Sequence, residues 1–567
     1  MHSSKLLLVF ACLLALANCG GDDNKNNDPD TDSDGVVDSL DAFPNDPNET
    51  ADSDSDGVGD NADNCDQANE DQHDADGDGL GDVCEATYAF SDADGNNTVS
   101  YTGQTARHML IEELVVSMNN LQRGDVRELA DLVSEEFNLI YQNYDAATDT
   151  VNALDSTAIT YSIADGDTLI TNTDTPADLT LGSISTAKNL DGKIAGADKC
   201  FHLLVDGEDA ADCADGSRGE FFGWDLGLDA DTLVRTPEDL VQYFFTRIAE
   251  EATSDELATI ATLENDNTAI DKPTLSAFGH DYRQLAQKFL LGAVTFSQGT
   301  ADYLQSDFGS EEMLALEEDK AYTGGQHNWD EAFGYYGAAR NAASYTDNEA
   351  RADSGRIGFA NGYNDLNGDN LIDVRSEIML GNATNCAKRD AGATVATQFT
   401  ETAFDAFIAG RQILQDAGDA GELTAAQQTG LDAAILSASV TWEKCIAATV
   451  VHYINDVIAD MGEYSEGKFV DLTHFSDLAK HWSEMKGFAL GLQFNPLSPF
   501  RTDGSGVTVT DLKMVLSLMG DAPVLADDTQ AGEAFEGGAA AYIDDLLEAR
   551  DILANAYGFA AENAENW

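Results

Sequence analysis

The sequence predicts a mainly α protein, two facing helical bundles that follow an irregular, acidic stalk. Three observations predict it. After residue 86, apolar residues recur at spacings of three and four through several long stretches, and strand-like alternation is scarce, the pattern of amphipathic helices. Before that point the chain is so rich in Asp and so poor in large apolar side chains that it cannot fold unaided. The form Trp-x-Glu-x-x-Gly-aromatic also occurs twice, from Trp329 to Tyr335 and from Trp482 to Phe488, each near a histidine and downstream of a helix bearing Gln287-Lys288 or Glu443-Lys444. Two related helix-pair units, and hence two facing bundles, would give this duplication.

Charge bounds the partners. The 567 residues carry 104 acids against 29 bases, a formal charge of −75, which disfavours nucleic acid and other polyanions. A hydrophobic content of 43% still supplies a large core.

Residues 1–18 read as a signal peptide: Lys5 precedes an apolar run from Leu6 to Ala17, too short to span a bilayer of ~30 Å as a helix. The ending Leu16-Ala17-Asn18-Cys19, followed by Gly20-Gly21, resembles a bacterial lipoprotein signal. That resemblance implies diacylation of Cys19, export, and attachment to the membrane through an N-terminal lipid, with Gly20 leaning toward the outer membrane or cell surface. Residues 19–27 read as a flexible linker.

Export suits the cysteines. Six remain once Cys12 and Cys19 are set aside, an even set for a compartment where disulfides persist. Cys65 with Cys84 and Cys200 with Cys213 are the preferred local pairs, and Cys386 with Cys445 follows by elimination.

From Asp22 to Glu85 there are 23 acids and one Lys. They fall in a frame. Asp30, Asp32, Asp34, Gly35, Asp38 and Asp41 occupy positions 1, 3, 5, 6, 9 and 12 of a calcium loop, with the Val36 carbonyl at position 7. Asp52, Asp54, Asp56, Gly57, Asp60 and Asp63 repeat it with Val58, and Asp74, Asp76, Asp78, Gly79, Asp82 and Glu85 repeat it with Leu80. A hard cation taking about 6–8 oxygens needs alternating carboxylates turned inward, and the glycine permits the bend, so calcium is the expected ion. A weaker fourth frame lies further on at Asp365, Asn367, Asp369, Leu371 and Asp373, with Asn370 in place of the glycine. Asn tolerates left-handed backbone, so the bend stays available.

The words between the loops, Asp41-Ala42-Phe43-Pro44-Asn45-Asp46-Pro47 and Asp63-Asn64-Cys65 through Asp82-Val83-Cys84, resemble thrombospondin type 3 repeats over residues 28–85. The resemblance implies a chain wrapped around calcium ions with almost no apolar core.

Residues 86–567 form the expected helical-bundle domain. Helical spacing runs through Arg107–Tyr144, Asp239–Leu263, Leu275–Phe308, Val395–Asp416, Thr424–Met461, His474–Leu492 and Ala534–Tyr557, while the Thr- and Asp-rich stretch Val151–Leu181 suits a short hairpin or an irregular excursion. On a helix His327 shares a face with Asp330 and Glu331, and His481 with Glu484. Bundles build metal centres from such sets, and His with carboxylates suits iron, zinc or copper. His452, with Glu112 or Glu113, would complete the shell; surface ion pairs and hydrogen-bonded core histidines are the alternative reading.

Ser100 to Arg107, Gln287 to Gln298, Gln326 to Tyr335, Ala387-Lys388-Arg389-Asp390 and Lys480 to Pro496 resemble a family of secreted bacterial lipoproteins, domain of unknown function 4856. More distantly, Gly325-x-His327-x-x-Asp330 is similar to the Gly-x-His-x-x-Glu signature of imelysin-like proteins, helical-bundle surface lipoproteins linked to iron uptake and once classed as metallopeptidases. Asp330 stands where that signature has glutamate.

No Gly-x-Ser-x-Gly elbow, phosphate-binding loop or His-Glu-x-x-His motif is present. The favoured expectation is a lipid-anchored, calcium-binding surface protein whose helical domain captures a small ligand, a transition metal or a metal complex in uptake. A hydrolase with a metal on His327 and His481 and Glu331 or Glu484 as general base is one alternative. A calcium-dependent adhesion or scaffold protein is the other.

Overall fold

The structure is a computed structural model that describes residues 29–65, 72, 81, 84, 86–123, 130–159, 179–197, 221–228 and 233–567. The chain divides into two compact units, residues 1–74 with 79–84, and residues 75–78 with 85–567. The expected signal peptide 1–18, Cys19, the linker 19–27, the third acidic frame (Asp74, Asp76, Asp78, Leu80, Asp82 and Glu85) and the pair Cys200 and Cys213 lie outside the described residues.

The smaller unit is held by polar turns. Cys65 is its only buried hydrophobic residue among those described, and it pairs with Cys84. Aspartates fold the backbone by accepting from amides two or three residues on, and the Glu49 side chain occupies the space that a Cβ on Gly59 would need. Gln72 braces the second turn set by donating to Asp63 at 2.8 Å.

The larger unit is mainly α, with fifteen α-helices and three two-stranded antiparallel hairpins among the described residues. The helices are α1 (Thr102–Asn120), α2 (Ala130–Gln142), α3 (Leu181–Ile184), α4 (Pro237–Thr253), α5 (Tyr282–Leu290), α6 (Glu311–Leu314), α7 (Gly324–Tyr336), α8 (Asp347–Ala350), α9 (Gly381–Ala391), α10 (Phe399–Ala420), α11 (Ala425–Gly462), α12 (Leu472–Gly491), α13 (Val509–Met519), α14 (Gly538–Tyr557) and α15 (Ala561–Asn566). The hairpins pair Tyr144–Asp145 with Thr150–Val151, Thr259–Ile260 with Thr268–Ala269, and Thr529–Gln530 with Glu533–Ala534.

Local chemistry sets the boundaries. Thr236 caps α4 in a box with Asp239, and Pro237 supplies the first helical φ. Capping boxes of Thr323 with Gln326 and Thr424 with Gln427 start α7 and α11, and left-handed Gly337 and Gly421 end α7 and α10. Two expected helices are shorter than their apolar stretches for legible reasons. The stretch from Asp239 ends at Thr253 and passes into the second hairpin, and the stretch from Leu275 starts only where Asp281 caps Arg283 and Gln284.

Helix α11 lies at the centre, packed by α9, α10, α12, α14 and α15. By length and composition α11 could cross a membrane, yet 72% of its apolar window is buried inside the protein, as in a core helix. Cys445 of α11 is bonded to Cys386 of α9 with a Cα separation of 4.8 Å, the pairing expected by elimination. Beyond α5 the chain continues as π-helix through Leu291–Phe296 and Gln298–Asp302. This segment passes α12 so closely that a Cβ on Gly292 would lie 2.7 Å from the Gly491 Cα.

Candidate functional site

Each described acidic frame of the smaller unit folds into the same turns. Asp30, Asp32 and Asp34 accept from the amides of Ser33, Asp34 and Val36 at 2.8, 3.2 and 2.7 Å. In the next frame Asp52, Asp54 and Asp56 accept from Ser55, Asp56 and Val58 at 2.7, 3.2 and 2.8 Å. Left-handed Gly35 (φ 106°) and Gly57 (φ 96°) make the bends. One oxygen from each of Asp30, Asp32 and Asp34 comes within 4.8 Å of the others, and so it is for Asp52, Asp54 and Asp56.

These carboxylates are under-partnered. Asp32 Oδ2, Asp34 Oδ2, Asp41 Oδ2 and Asp54 Oδ2 are buried with no hydrogen-bond partner among the described residues. Burial, with the charges of Asp34, Asp41 and Asp30, holds the Asp32 carboxyl above its ordinary value; Asp54 is raised the same way, with Asp56, Asp63 and Asp52 as the neighbours. The acids at position 9 behave differently. Both oxygens of Asp38 accept from Thr31, and both of Asp60 from Ser53. An oxygen-only donor set of this kind fits a hard divalent cation.

At the fourth frame Asn370 adopts the left-handed conformation, φ 65°, and donates to Asp365 at 2.7 Å. Asn367 and Asp369 accept from Asp369 and Leu371, but Asp373 is clasped by Arg375, with two side-chain bonds of 2.9 Å. Glu377 is buried and accepts from the Asp373 amide at 2.7 Å.

In the helical unit the histidine-carboxylate sets have other partners. Asp330 is fully buried and accepts from Tyr88 Oη at 2.8 Å, Arg411 Nε at 2.8 Å and the Ser100 amide at 3.0 Å. His327 meets the Ser100 carbonyl at 3.0 Å and stacks on Tyr322. Its nearest carboxylate, Glu331 at 3.9 Å, accepts from Gln104. His481 instead meets Asp460 Oδ2 at 2.8 Å, and His452 meets Asp456 Oδ2 at 3.3 Å. Burial alone would lower His481, but the bond to Asp460 and the charges of Asp460 and Asp456 raise it overall; burial and the Arg389 charge push His452 down to about 3.

His452 and His481 thus sit in one charged neighbourhood on α11 and α12. Among the described residues His327 shares no partner with them. Glu484 pairs with Lys288 at 3.5 Å and Lys480 at 3.6 Å, and Glu112 accepts from Gln287.

Residues 238–368 match the family model described as Domain of unknown function (DUF4856). That stretch carries His327, Asp330 and Glu331, and ends inside the fourth acidic frame. No curated protein and no solved structure matches the chain.

The sequence reading passed over Asp456, Asp460 and Arg411. The spacing His452-x-x-x-Asp456-x-x-x-Asp460 places all three on one face of a helix, a signal that could have found the first two. Arg411 carries no local signal, because its partner lies on another helix.

Proposed function

We propose that this chain is an exported, lipid-anchored surface protein in which a calcium-stiffened acidic stalk carries a mainly α ligand-binding domain. The observation that carries the calcium reading is the pair of aspartate triads, their oxygens gathered within 4.8 Å beside buried carboxylate oxygens without partners. Gathered like charges repel unless a cation is shared among them. The frame also explains why a segment with one buried apolar residue would be ordered at all. The resemblance to thrombospondin type 3 repeats supports the same reading.

The test is calcium titration of the full chain by calorimetry, beside an Asp32→Asn/Asp54→Asn variant. Saturable calcium binding that falls by two sites in the variant is expected; wild-type chain that takes up no calcium at millimolar concentration sinks the reading.

A transition-metal reading of the helical domain, by analogy with imelysin-like bundles, is favoured at His481 and His452 over His327, because Asp330 is already held by Arg411. Elemental analysis of chain purified without chelators, compared with His481→Ala, decides it. No observation favours the hydrolase reading.

A further inference from the structure

The second hairpin has one edge that is only partly paired. Ile270 donates its amide to the Ala258 carbonyl at 2.9 Å, and the register sets Thr259 opposite Ala269 and Ile260 opposite Thr268. Bonded positions alternate in an antiparallel pair, so the backbone groups of Thr259 and Ala261 point to the far edge. Phe469 covers part of that edge, donating to the Ala261 carbonyl at 3.2 Å and accepting from the Leu263 amide at 2.9 Å. Just before Phe469 the chain turns aside, with Ser465 and Lys468 exchanging backbone bonds around left-handed Glu466 and Gly467. The Thr259 amide and carbonyl and the Ala261 amide therefore have no backbone partner among the described residues.

A groove runs beside this edge, lined by Thr259, Ala261 and Phe469 and also by Phe278, Ala526 and Asp527. Ala526 is buried, yet its amide and carbonyl make no backbone bond among the described residues either. Phe278 is exposed. Unpaired backbone groups along an apolar groove form a template for an added strand.

We propose that this groove binds an extended peptide segment with a basic residue between two apolar ones, which adds a strand to the Thr259–Ala261 edge. The inference names a ligand class for the helical domain, so it rests on reading that domain as a binding module. It uses neither calcium nor the histidines.

The backbone groups select a peptide, because an extended chain offers donors and acceptors at the strand repeat of about 3.3 Å per residue. Alternate side chains share a face, so the two apolar residues lie together on Phe469 and Phe278 and the base points the other way. Charge selects the base. Asp527 is exposed, and its Oδ1 accepts from the Thr529 amide and hydroxyl at 3.2 and 2.7 Å while its Oδ2 has no partner among the described residues. No Lys or Arg lines the groove, and Lys468, next to the turn, is already paired with Asp266 at 2.6 Å.

The probe is the peptide acetyl-Thr-Val-Lys-Val-Thr-amide, titrated into the full chain by calorimetry beside the same peptide N-methylated at its three central residues and one with glutamate in place of lysine. Saturable binding of the first is expected, with no measurable binding of the N-methylated peptide and weaker binding of the glutamate one. Proline is tolerated where an edge amide points outward, so Thr259→Pro should keep the hairpin and weaken the lysine peptide about tenfold. Asp527→Asn should weaken it about threefold. Absence of saturable binding at millimolar peptide, equal binding of the N-methylated peptide, or unchanged affinity in a folded Thr259→Pro would overturn the proposal. If Thr259→Pro fails to fold, unchanged affinity in Asp527→Asn overturns it instead. Calcium and transition-metal uptake, read on the same samples, separate failure here from failure of the readings above.

Discussion

Asp330 and Arg411 form an ion pair at 2.8 Å in which neither side chain is reached by water. Arg411 also donates to Gln415 and Thr98 and lies over the Phe90 ring, while Tyr88 and the Ser100 amide complete the carboxylate. The pair ties α7 to α10 and to the strand-like chain before α1. Removing one partner strands a buried charge, which costs about 3–5 kcal/mol. Asp330→Ala should therefore lower the unfolding free energy obtained from urea titration by that amount, and Asp330→Ala/Arg411→Met should recover part of it. A variant as stable as the parent would show that the pair is dispensable.

The contact of Gly292 with Gly491 sets a second prediction. With a Cβ on either glycine 2.7 or 3.1 Å from the other's Cα, Gly292→Ala must separate the π-helical segment from α12. Overpacking of this kind costs about 1–3 kcal/mol. Gly462→Ala, where nothing lies within 4 Å, should be neutral or mildly stabilising, and thermal melts of both variants check the contrast.

Acid should weaken the helical unit through its neutral histidines. Burial pushes His108 and His280 down to about 4. Unfolded imidazoles take up protons below about 6.5, whereas the folded ones do not, so this stability is present above that value and lost as pH falls toward 4. Each mismatch amounts to roughly 3 kcal/mol at its full extent. His481, raised by Asp460, runs the other way: its contribution is full below the ordinary histidine value and fades as pH rises through the raised one. Melting temperatures from pH 7 to 4 should fall, and His108→Gln should flatten the slope.

Glu443 predicts a slope of opposite sign. It is fully buried, and burial pushes it up to about 7 although Ser498, Tyr557 and Asn495 all donate to it. Stability from its protonated form is complete below the ordinary glutamate value and is lost as pH rises through about 7. Glu443→Gln should gain stability relative to the parent at pH 8 and lose that advantage at pH 4.5, as read from urea midpoints.

Reduction of Cys386–Cys445 releases a loop of 59 residues. In the chain-entropy account that costs about 4 kcal/mol. The Cys386→Ala/Cys445→Ala variant should melt well below the parent in non-reducing buffer, and the two should converge in excess dithiothreitol.

Local spacing along the chain settles part of this fold. Period-three and period-four apolar patterns placed α10, α11, α12 and α14, and the start of α4, within a few residues, because burying one face of a helix leaves that period in the chain. The short α9 and α13 were missed, being too brief for the pattern to stand out. The acid-glycine frames specified their turns, because Asx bonds and left-handed glycines act over two to five residues. Even the pairing of Cys386 with Cys445 came out right, by elimination. Which charges meet depends on how helices far apart in the chain pack together. His327 and Asp330 share a helical face, yet the aspartate turns to Arg411, Tyr88 and Ser100, and His481 turns to Asp460 and not to Glu484. Partners on different helices leave no periodic trace, and a buried carboxylate goes to whichever donor the packing brings nearest.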